Sequence, residues 1–351
     1  MTNELPKIRF SAIGLNHGHI YGQVNLLLRA GAELVSFYSP EPDPHSEEGQ
    51  ALVAQFAQAY PQARLARCEE EILADPTIHL IVSAAIPSER APLGVRAMLH
   101  GKDYMSDKGA PTTLEQLAEV RRVQAATGRI YSICFSERFE NPATVKAGEL
   151  VRAGAIGQVV QTVGLGPHRM RPATRPAWFF QRARYGGILI DIASHQIDQF
   201  LYFTGSSHAR VVSSLVANYN HPQYPELEDF GELLLQGEQA TGYIRVDWFT
   251  PEGLETWGDT RLFILGTEGY IEVRKNCDIA GRAGTNHLFL VEQKGTHYIS
   301  CEGGDLPYGR QLLYDIVHRT ETAMPQEHCF RVCELALQAQ AQAQRSGYLR
   351  E

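Results

Sequence analysis

Apolar and polar positions alternate with two different periods over the first 135 residues. Short apolar runs typical of buried strands cover residues 7–14, 33–38, 78–85, 103–106 and 130–135. Amphipathic stretches with helical spacing separate them, over residues 20–29, 49–59, 91–100 and 114–127, and a weaker strand and short helix fall within 63–73. Strict strand-helix alternation with short links predicts a parallel sheet covered on both faces. Such a sheet binds ligands at the carboxyl ends of its strands.

The pattern changes after Glu137. A helix is predicted over residues 143–153, and strand-like runs follow at 159–165, 210–218, 228–236, 241–249, 261–265, 270–274 and 288–293. Few helices separate these runs, so we expect one large antiparallel or mixed sheet with the helix against it. A last helix is predicted over residues 326–345. The chain should therefore have two domains, an α/β domain over 1–134 and an α+β domain over 135–351.

Composition narrows the classes of protein that need considering. The 351 residues are 44% hydrophobic and 21% charged, which suits two folded domains. The net charge of -8 argues against nucleic-acid partners. No run approaches the ~18 apolar residues of a membrane span, and the N-terminus lacks a signal-peptide pattern, so we expect a cytoplasmic protein without a membrane partner.

The cysteines favour neither a zinc site nor a disulfide framework. All six are scattered, and no CxxC pair is present. Cys329 and Cys333 with His328 lie one helical turn apart and could bind a metal, but a packed helix face is the favoured interpretation. We therefore predict no metal site.

The loop after the first strand resembles a degraded dinucleotide fingerprint. Gly14 is in register with Gly-x-Gly-x-x-Gly, whereas Asn16 stands at the second glycine and His19 at the third, beside Gly18. A simple strand-to-helix turn without phosphate binding is the alternative. His17 and His19 form a His-x-His pair that could bind metal, although histidines that line a ligand cleft are favoured.

The second strand ends without the acidic residue that ordinarily binds the adenine ribose. Ser39, Pro40 and Glu41 occupy this position. Ser39 could contact a 2'-phosphate, but no arginine accompanies it and Glu41 would repel one. The sequence therefore leaves the choice between NAD and NADP open.

A second stretch with candidate chemistry covers residues 186–198. Asp191, His195 and Asp198 fall at i, i+4 and i+7 of a predicted helix that follows Gly186-Gly187. Such a face could hold a proton-transfer group, whereas the alternative is a capped helix with an incidental histidine.

An arginine-rich irregular loop precedes this stretch. It covers residues 167–180 and suits a polyhydroxylated or acidic ligand, with Trp178 stacking on a sugar face or packing as a lid. His168 and Arg175 are the preferred substrate contacts, and Arg138 at the domain junction is a further candidate. A solvated loop with buried aromatic side chains is the alternative.

The two-domain order, the segment 105–111 around Lys108 and the stretch 186–198 together resemble the glucose-fructose oxidoreductase and inositol dehydrogenase family (Gfo/Idh/MocA) over nearly the whole chain. That family has a Glu-Lys-Pro segment after the fifth strand of its nucleotide domain and a Gly-Gly-x-x-x-Asp-x-x-x-His segment in its second domain. Lys108 and the pair Asp191 and His195 match these positions.

This sequence departs from the family pattern at several positions around the lysine. Asp107 replaces the usual glutamate, and Gly109 replaces a proline that often has a cis bond. Pro87 is kept after the fourth strand, and Arg90 stands where a histidine is common. Together with the changed loop at 16–19, these departures suggest an unusual branch of the family.

The resemblance implies a Rossmann-type first domain and an NAD(P)-dependent oxidoreductase that acts on a sugar, cyclitol or sugar-derived acid. His195 would carry the proton, Lys108 would stabilise negative charge on the substrate oxygen, and Asp191 would orient His195 or bind a hydroxyl. The residues predicted to bind the cofactor, NAD or NADP, are Gly14, Asn16, His17, Gly18, His19, Ser39, Pro87 and Lys108. Substrate contacts are predicted at Arg138, His168, Arg175, Trp178, Asp191 and His195.

Two other functions stay open at this point. A noncatalytic dinucleotide- or sugar-sensing protein on the same fold would explain the degraded loop. A metal-dependent hydrolase that uses His17, His19 and Asp191 is less favoured. For the oxidoreductase, an open apolar face of the second sheet would be buried against a partner subunit, which predicts a homodimer or homotetramer.

Overall fold

The computed structural model describes residues 6–42 and 46–349. Its strands are β1 (Arg9–Ile13), β2 (Glu33–Tyr38), β3 (Arg64–Leu65), β4 (Leu80–Ser83), β5 (Asp103–Asp107), β6 (Tyr131–Cys134), β7 (Val159–Pro167), β8 (Arg210–Asn218), β9 (Phe230–Gln236), β10 (Thr241–Asp247), β11 (Arg261–Gly266), β12 (Tyr270–Arg274), β13 (His287–Glu292), β14 (Gly295–Ser300) and β15 (Gln344–Gly347). Its α-helices are α1 (His19–Arg29), α2 (Glu47–Ala59), α3 (Glu69–Leu73), α4 (Pro87–Leu99), α5 (Leu114–Thr127), α6 (Ser136–Phe139), α7 (Pro142–Arg152), α8 (Arg182–Tyr185), α9 (Ile188–Asp191), α10 (Ala193–Thr204), α11 (Tyr308–His318) and α12 (Gln326–Gln342).

The first unit contains a parallel sheet with the strand order β3-β2-β1-β4-β5-β6. The order reverses between β1 and β4, which creates the crevice at the strand ends where this fold binds ligands. Strands β4 and β6 are buried at every position, as expected for a parallel sheet. The predicted Rossmann-type architecture is confirmed.

Helix α5 illustrates why the local pattern is informative in this unit. The hydroxyl of Thr113 accepts a hydrogen bond from the backbone amide of Gln116 at 3.1 Å, and Gly128 ends the helix with φ +63°. A threonine N-cap and a glycine that adopts the left-handed conformation are strong boundary signals. The helix covers the predicted residues 114–127.

Residues 307–330 belong to the first unit, although the sequence pattern assigned everything after 134 to the second. The two compact units are Met1–Cys134 with Pro307–Phe330, and Phe135–Leu306 with Arg331–Glu351. The side-chain amide of Gln326 donates to the carbonyl of Tyr131 at 2.9 Å and accepts from its amide at 2.8 Å. Gln326 thereby satisfies the backbone of the edge strand β6. A division at 134 alone misses this return of the chain.

The second unit contains a mixed sheet of nine strands among the described residues, in the order β14-β13-β12-β11-β7-β10-β9-β8-β15. Most neighbours are antiparallel, whereas β7 pairs with β10 and β8 pairs with β15 in parallel. Helix α7 covers part of one face, where Ala143 and Ala147 join a core cluster with Ile264 and Ile271. The predicted large sheet with its opening helix is confirmed. Strand β15 replaces the predicted end of the last helix.

Two glycines let helix α10 lie close to this sheet. A Cβ on Gly164 of β7 would lie 2.7 Å from Cγ of Gln196, and one on Gly242 of β10 would lie 2.6 Å from Cδ2 of Phe200. Neither distance is tolerable for a real side chain, so only glycine permits this packing. The consequence is that the helix carrying His195 is fixed on a rigid support. Of the helices in the described residues, none is long and apolar enough to cross a membrane.

Candidate functional site

The loop between β1 and α1 forms a tight turn at the carboxyl end of the first sheet. Gly14 has φ +79°, and a Cβ there would lie 2.4 Å from Cβ of Ala85. The amide of Gly14 donates to the carbonyl of Tyr38 at 2.9 Å, and the amide of His17 donates to the carbonyl of Ala84 at 3.0 Å. The turn therefore joins the ends of three strands, and it tolerates only glycine at its first position.

The side chain of Ser39 points into the protein interior. Its side chain is 1% exposed. Its hydroxyl donates to the carbonyl of Glu41 at 2.8 Å and accepts from the amide of Leu15 at 3.3 Å. The side-chain amide of Asn16 donates to the same carbonyl of Glu41 at 2.6 Å. These bonds fix the two loops against each other, and they favour a structural role for Ser39 over contact with a 2'-phosphate.

Two histidines at the start of α1 meet the end of β5. Nδ1 of His19 lies 2.9 Å from Oδ1 of Asp107, and Nδ1 of His17 lies 3.7 Å from Oδ2. Arg90 from α4 approaches the same carboxylate, with Nη2 3.1 Å from Oδ2, and its guanidinium also donates to the carbonyl of Lys108. Asp107 and Arg90 are both almost fully buried. This cluster joins the cofactor loop to the lysine loop within the first unit.

The electrostatics of this cluster favour an ionised aspartate between neutral or cationic partners. Burial raises the pKa of Asp107, but His19 and Arg90 outweigh it and hold the pKa well below its usual range. Desolvation, followed by the neighbouring His19, holds the pKa of His17 well below its usual range. His17 is therefore neutral near pH 7, and its Nδ1 accepts a hydrogen bond from the amide of His19 at 3.2 Å.

The same three side chains have the donor types of a metal site. The ligand atoms of His17, His19 and Asp107 lie within 4.8 Å of one another. However, Nδ1 of His17 already accepts the backbone hydrogen bond, and Arg90 is a fixed positive charge at the carboxylate. This arrangement favours a hydrogen-bonded ion cluster over a cation site.

Asp107→Asn should lower the free energy of unfolding by about 3 kcal/mol at pH 7, because Arg90 would stay buried beside a neutral amide. The folded-state pKa of Asp107 lies below its ordinary value, so its stabilisation is present above about pH 4 and is lost as the pH falls through the folded-state pKa. Urea unfolding at pH 7 and at acidic pH measures this difference, with the exposed Asp305→Asn as the control. An equal cost at both pH values would contradict the assignment.

Lys108 follows this cluster directly. Its side chain is buried, and the next residue, Gly109, has φ +82°. The cis peptide bond in this loop lies between Ala110 and Pro111. Pro87, which is also buried, begins α4 after the neighbouring strand β4. The lysine is thus held in an ordered loop.

In the second unit, close packing explains the glycine of the Gly186-Gly187 pair that directly precedes α9. Gly187 has φ +110°, and a Cβ there would lie 2.3 Å from Oε1 of Gln340. This close approach lets Gln340 accept a hydrogen bond from the amide of Leu189 at 3.1 Å, while Glu228 accepts one from the amide of Ile188 at 2.8 Å. Two side-chain oxygens thereby satisfy the first amides of α9.

The prediction of one uninterrupted helix through His195 is wrong. Helix α9 ends at Asp191 and α10 begins at Ala193, with φ -104° and ψ -50° at Ile192 between them. The amide of His195 donates to the carbonyl of Ile192 at 3.1 Å, a three-residue step in place of the α-helical four. The i, i+4 spacing therefore does not run through a regular helix.

The three polar residues of this stretch have different surroundings. The ring of His195 is buried edge-on to Phe135, with 6.3 Å between ring centroids. Asp198 accepts two hydrogen bonds from Arg138, each 2.7 Å long. Asp191 faces the arginine-rich loop, where burial lowers the pKa of Arg175 and Asp191 opposes that shift.

Arg138 pairs with Asp198 inside the protein. Asp198 is fully buried and the guanidinium of Arg138 lies over the rings of Phe139 and Tyr202, at 4.1 Å and 4.7 Å from their centroids. A bidentate, desolvated pair of this kind fixes geometry strongly. The contacts favour a structural role for Arg138, in contrast to the predicted substrate contact.

A buried charged network supports His195, and no local pattern in the sequence predicts it. Nζ of Lys275 lies 2.6 Å from Oε2 of Glu137 and donates to Gln199 at 2.7 Å, while Gln199 donates to the carbonyl of His195 at 2.9 Å. Burial alone would raise the pKa of Glu137, but Lys275, His195 and His168 lower it to about 2. Glu137 and Lys275 lie far apart in sequence on unremarkable segments, which is why neither was expected here.

Aromatic side chains surround the predicted substrate loop. The ring of His168 lies 4.5 Å from Trp257 and 5.3 Å from Trp248. The guanidinium of Arg175 lies over Trp248 at 5.0 Å and donates from Nε to the carbonyl of Met170 at 2.9 Å. Trp178, three residues after Arg175, is half-buried. The two further tryptophans were not expected, because they come from segments distant from the loop.

Comparison with known proteins places this geometry in a family. The family model described as "GFO/IDH/MocA C-terminal domain" matches residues 144–272. A protein of Erwinia carotovora atroseptica SCRI1043, provisionally named an oxidoreductase, has a crystal structure that aligns with a TM-score of 0.91 and 47% identity over 97% of this chain and 99% of that one. The chain belongs to the Gfo/Idh/MocA family.

More distant members of the Gfo/Idh/MocA family have named substrates. A D-xylose dehydrogenase of Paenarthrobacter nicotinovorans is 26% identical over 151 residues, which is 42% of this chain and 39% of that enzyme. The chain therefore spans about two fifths of the length of this curated relative. A levoglucosan dehydrogenase in complex with NADH and levoglucosan aligns with a TM-score of 0.78 and 17% identity over 96% of this chain and 98% of that one, which shows a shared fold.

Three departures of this Gfo/Idh/MocA chain from the family pattern meet in one place. Arg90, Asp107 and His19 belong to the ion cluster described above, together with His17. A change at one of these positions alters the charge that the others face. The other two departures, Asn16 and Gly109, lie in the loops that follow β1 and β5.

Proposed function

We propose that this chain is an NAD(P)-dependent oxidoreductase that transfers a hydride between the nicotinamide and a sugar, cyclitol or sugar-derived acid. The observation that carries the proposal is His195, a buried imidazole on a rigid helix with the charged pair Glu137 and Lys275 beneath it. Relatives that act on D-xylose and levoglucosan, the latter with NADH, support the reaction class.

The first unit has features that suit a dinucleotide. The turn at Gly14 excludes a Cβ, and a cavity of about 170 Å³ lies beside it, lined by Asn16 and Glu41 among others. The amino end of α1 adds its dipole at the loop. Gly14, Asn16, His17, Gly18 and His19 would hold the cofactor, which supplies the hydride acceptor or donor when bound.

His195 would move the substrate's hydroxyl proton. An imidazole is suited to this transfer because its unperturbed pKa lies near neutrality. Lys108 matches the family's lysine, and we propose that it stabilises negative charge that develops on the substrate oxygen. Asp191, His168, Arg175 and Trp178 are proposed substrate contacts, since they lie on the arginine-rich loop and the segment that follows it.

One experiment separates the enzyme from the sensing alternative. The protein is titrated with NADH and NADPH while the cofactor fluorescence is followed, and sugars, cyclitols and sugar acids are then screened for a change in nicotinamide absorbance. Binding with turnover supports the proposal. Binding without turnover on any tested compound favours a dinucleotide- or sugar-sensing protein. Failure to bind either dinucleotide contradicts both the enzyme and the dinucleotide sensor.

We also propose that the second unit forms a homodimer through the outer face of its sheet. Leu265 and Tyr270 are exposed and directly paired on this face, and Tyr298 is exposed further along it. The same face carries Glu272 and Arg274, which form an ion pair with each other at 2.7 Å, so their charges are balanced within one copy. Sedimentation velocity should show a dimer or a tetramer, and a monomer at all concentrations would contradict the proposal.

A further inference from the structure

We infer that the cavity at the carboxyl ends of β1, β2 and β4 selects NAD(H) over NADP(H). The inference rests on the proposed function, because it concerns which of the two dinucleotides that function uses. The sequence left this choice open. Three features of the described residues decide it: the charges that line the cavity, the arginine among them and the hydrogen bonds of Ser39.

The position of the cavity makes it the proposed adenosine end of the dinucleotide site. It has a volume of about 170 Å³, and its lining includes Gly14 and Asn16 of the cofactor turn, and Glu41 from the loop after β2. In this fold the loop after the second strand meets the adenine ribose, where a 2'-hydroxyl distinguishes NAD from the 2'-phosphate of NADP. The groups at this loop therefore decide the preference.

The lining is acidic. Glu41, Glu69 and Glu89 contribute three carboxylates, and Arg96 is the single cation among the described lining residues. A 2'-phosphate brings a charge of about -1.5 to -2 at neutral pH, because its second pKa is about 6. A dianion of this kind meets repulsion in an acidic cavity, whereas a hydroxyl does not.

The arginine neutralises one of these carboxylates, Glu69, which leaves the charges of Glu41 and Glu89 in the lining. Arg96 makes a bidentate pair with Glu69, with Nε 2.5 Å from Oε1 and Nη2 3.1 Å from Oε2. An arginine that recognises a 2'-phosphate must offer the same fork of donors to the phosphate oxygens. Binding a phosphate here would require breaking the pair with Glu69.

The hydroxyl of Ser39, which could have bound a phosphate, already forms two hydrogen bonds within the protein. The hydroxyl of Ser39 donates to the carbonyl of Glu41 and accepts from the amide of Leu15, in a side chain that is almost fully buried. Asn16 donates to the same carbonyl. These bonds hold the loop so that Glu41 stays at the cavity. Among the lining residues that the structure describes, the usual phosphate ligands are therefore missing, and a carboxylate stands in their place.

The test compares NADH and NADPH on the same protein by fluorescence titration. We expect NADH to bind at least about ten-fold more tightly, the size of a single unfavourable charge interaction near a protein surface. Glu41→Arg should reduce or invert the ratio of the two affinities, chiefly by raising the affinity for NADPH. The milder Glu41→Gln should reduce this ratio less. The exposed Glu255→Arg in the second unit has the same charge change and should leave the ratio unchanged.

Each outcome has a distinct meaning. Failure of both nucleotides to bind contradicts the proposed function itself. Equal or tighter binding of NADPH by the unchanged protein overturns the inference while leaving the proposed function intact. A preference for NADH that neither substitution of Glu41 alters overturns the assignment of selectivity to this loop. Because Glu41→Gln keeps the size of the side chain, loss of folding in Glu41→Arg alone does not remove the test.

Discussion

His195→Ala should lower turnover by roughly 10²- to 10⁴-fold on any substrate that the screen identifies, the range attributed to a positioned acid-base group. Affinity for NADH should change little, because the candidate nucleotide residues lie in the first unit and His195 in the second. Steady-state kinetics and the fluorescence titration measure the two effects separately. Turnover close to that of the unchanged protein would remove His195 from the proposed chemistry.

The control for this prediction distinguishes proton transfer from general disturbance. His208→Ala removes an exposed histidine from the same unit and should leave turnover unchanged. His195→Gln keeps hydrogen-bonding groups but cannot carry the proton, so it should be nearly as inactive as His195→Ala. If His195→Gln retained most of the turnover, a positioning role would replace the acid-base role.

Arg138→Met should lower the free energy of unfolding by about 3–5 kcal/mol, because Asp198 would keep its charge in a fully buried site without its partner. The pair forms two short hydrogen bonds and fixes the segment after β6 to α10. Urea unfolding of the second unit measures the loss. A change below about 1 kcal/mol, the range of an exposed ion pair, would contradict the structural role.

Two further variants make this stability test specific. The double change Arg138→Met with Asp198→Leu removes both charges and should recover most of the lost stability, since a buried pair and an apolar replacement are often close in energy. Arg122→Met breaks another bidentate pair, with Glu119 at 2.8 Å and 2.7 Å, but on an exposed helix surface. That variant should leave the urea midpoint unchanged.

The sequence was most informative where local signals decide the structure. The strand-helix alternation of the first 135 residues and the caps at Thr113 and Gly128 need no knowledge of distant residues. It was least informative where the decisive contact is distant. The break at Ile192 and the return of residues 307–330 to the first unit depend on packing between segments far apart in the chain.

The same division applies to the candidate site. Lys108, Asp191 and His195 could be selected because each matches a family position. The contacts among Arg90, Asp107 and His19 could not be predicted in this way. These residues are more than fifteen positions apart in the sequence, and only the folded sheet brings them together. Lys275 and Glu137 form a pair across 138 positions of sequence, a separation that no local pattern reveals.

The return of residues 307–330 to the first unit has a consequence for synthesis of the chain. The side chain of Gln326 forms hydrogen bonds with the amide and the carbonyl of Tyr131. The hydroxyl of Ser132 is 2.7 Å from that of Tyr308. During translation Tyr308 and Gln326 leave the ribosome 176 and 195 residues after their partners in β6. The nucleotide-type unit therefore cannot finish folding as a nascent N-terminal domain, and a fragment that ends at residue 134 should expose an uncovered strand edge and aggregate.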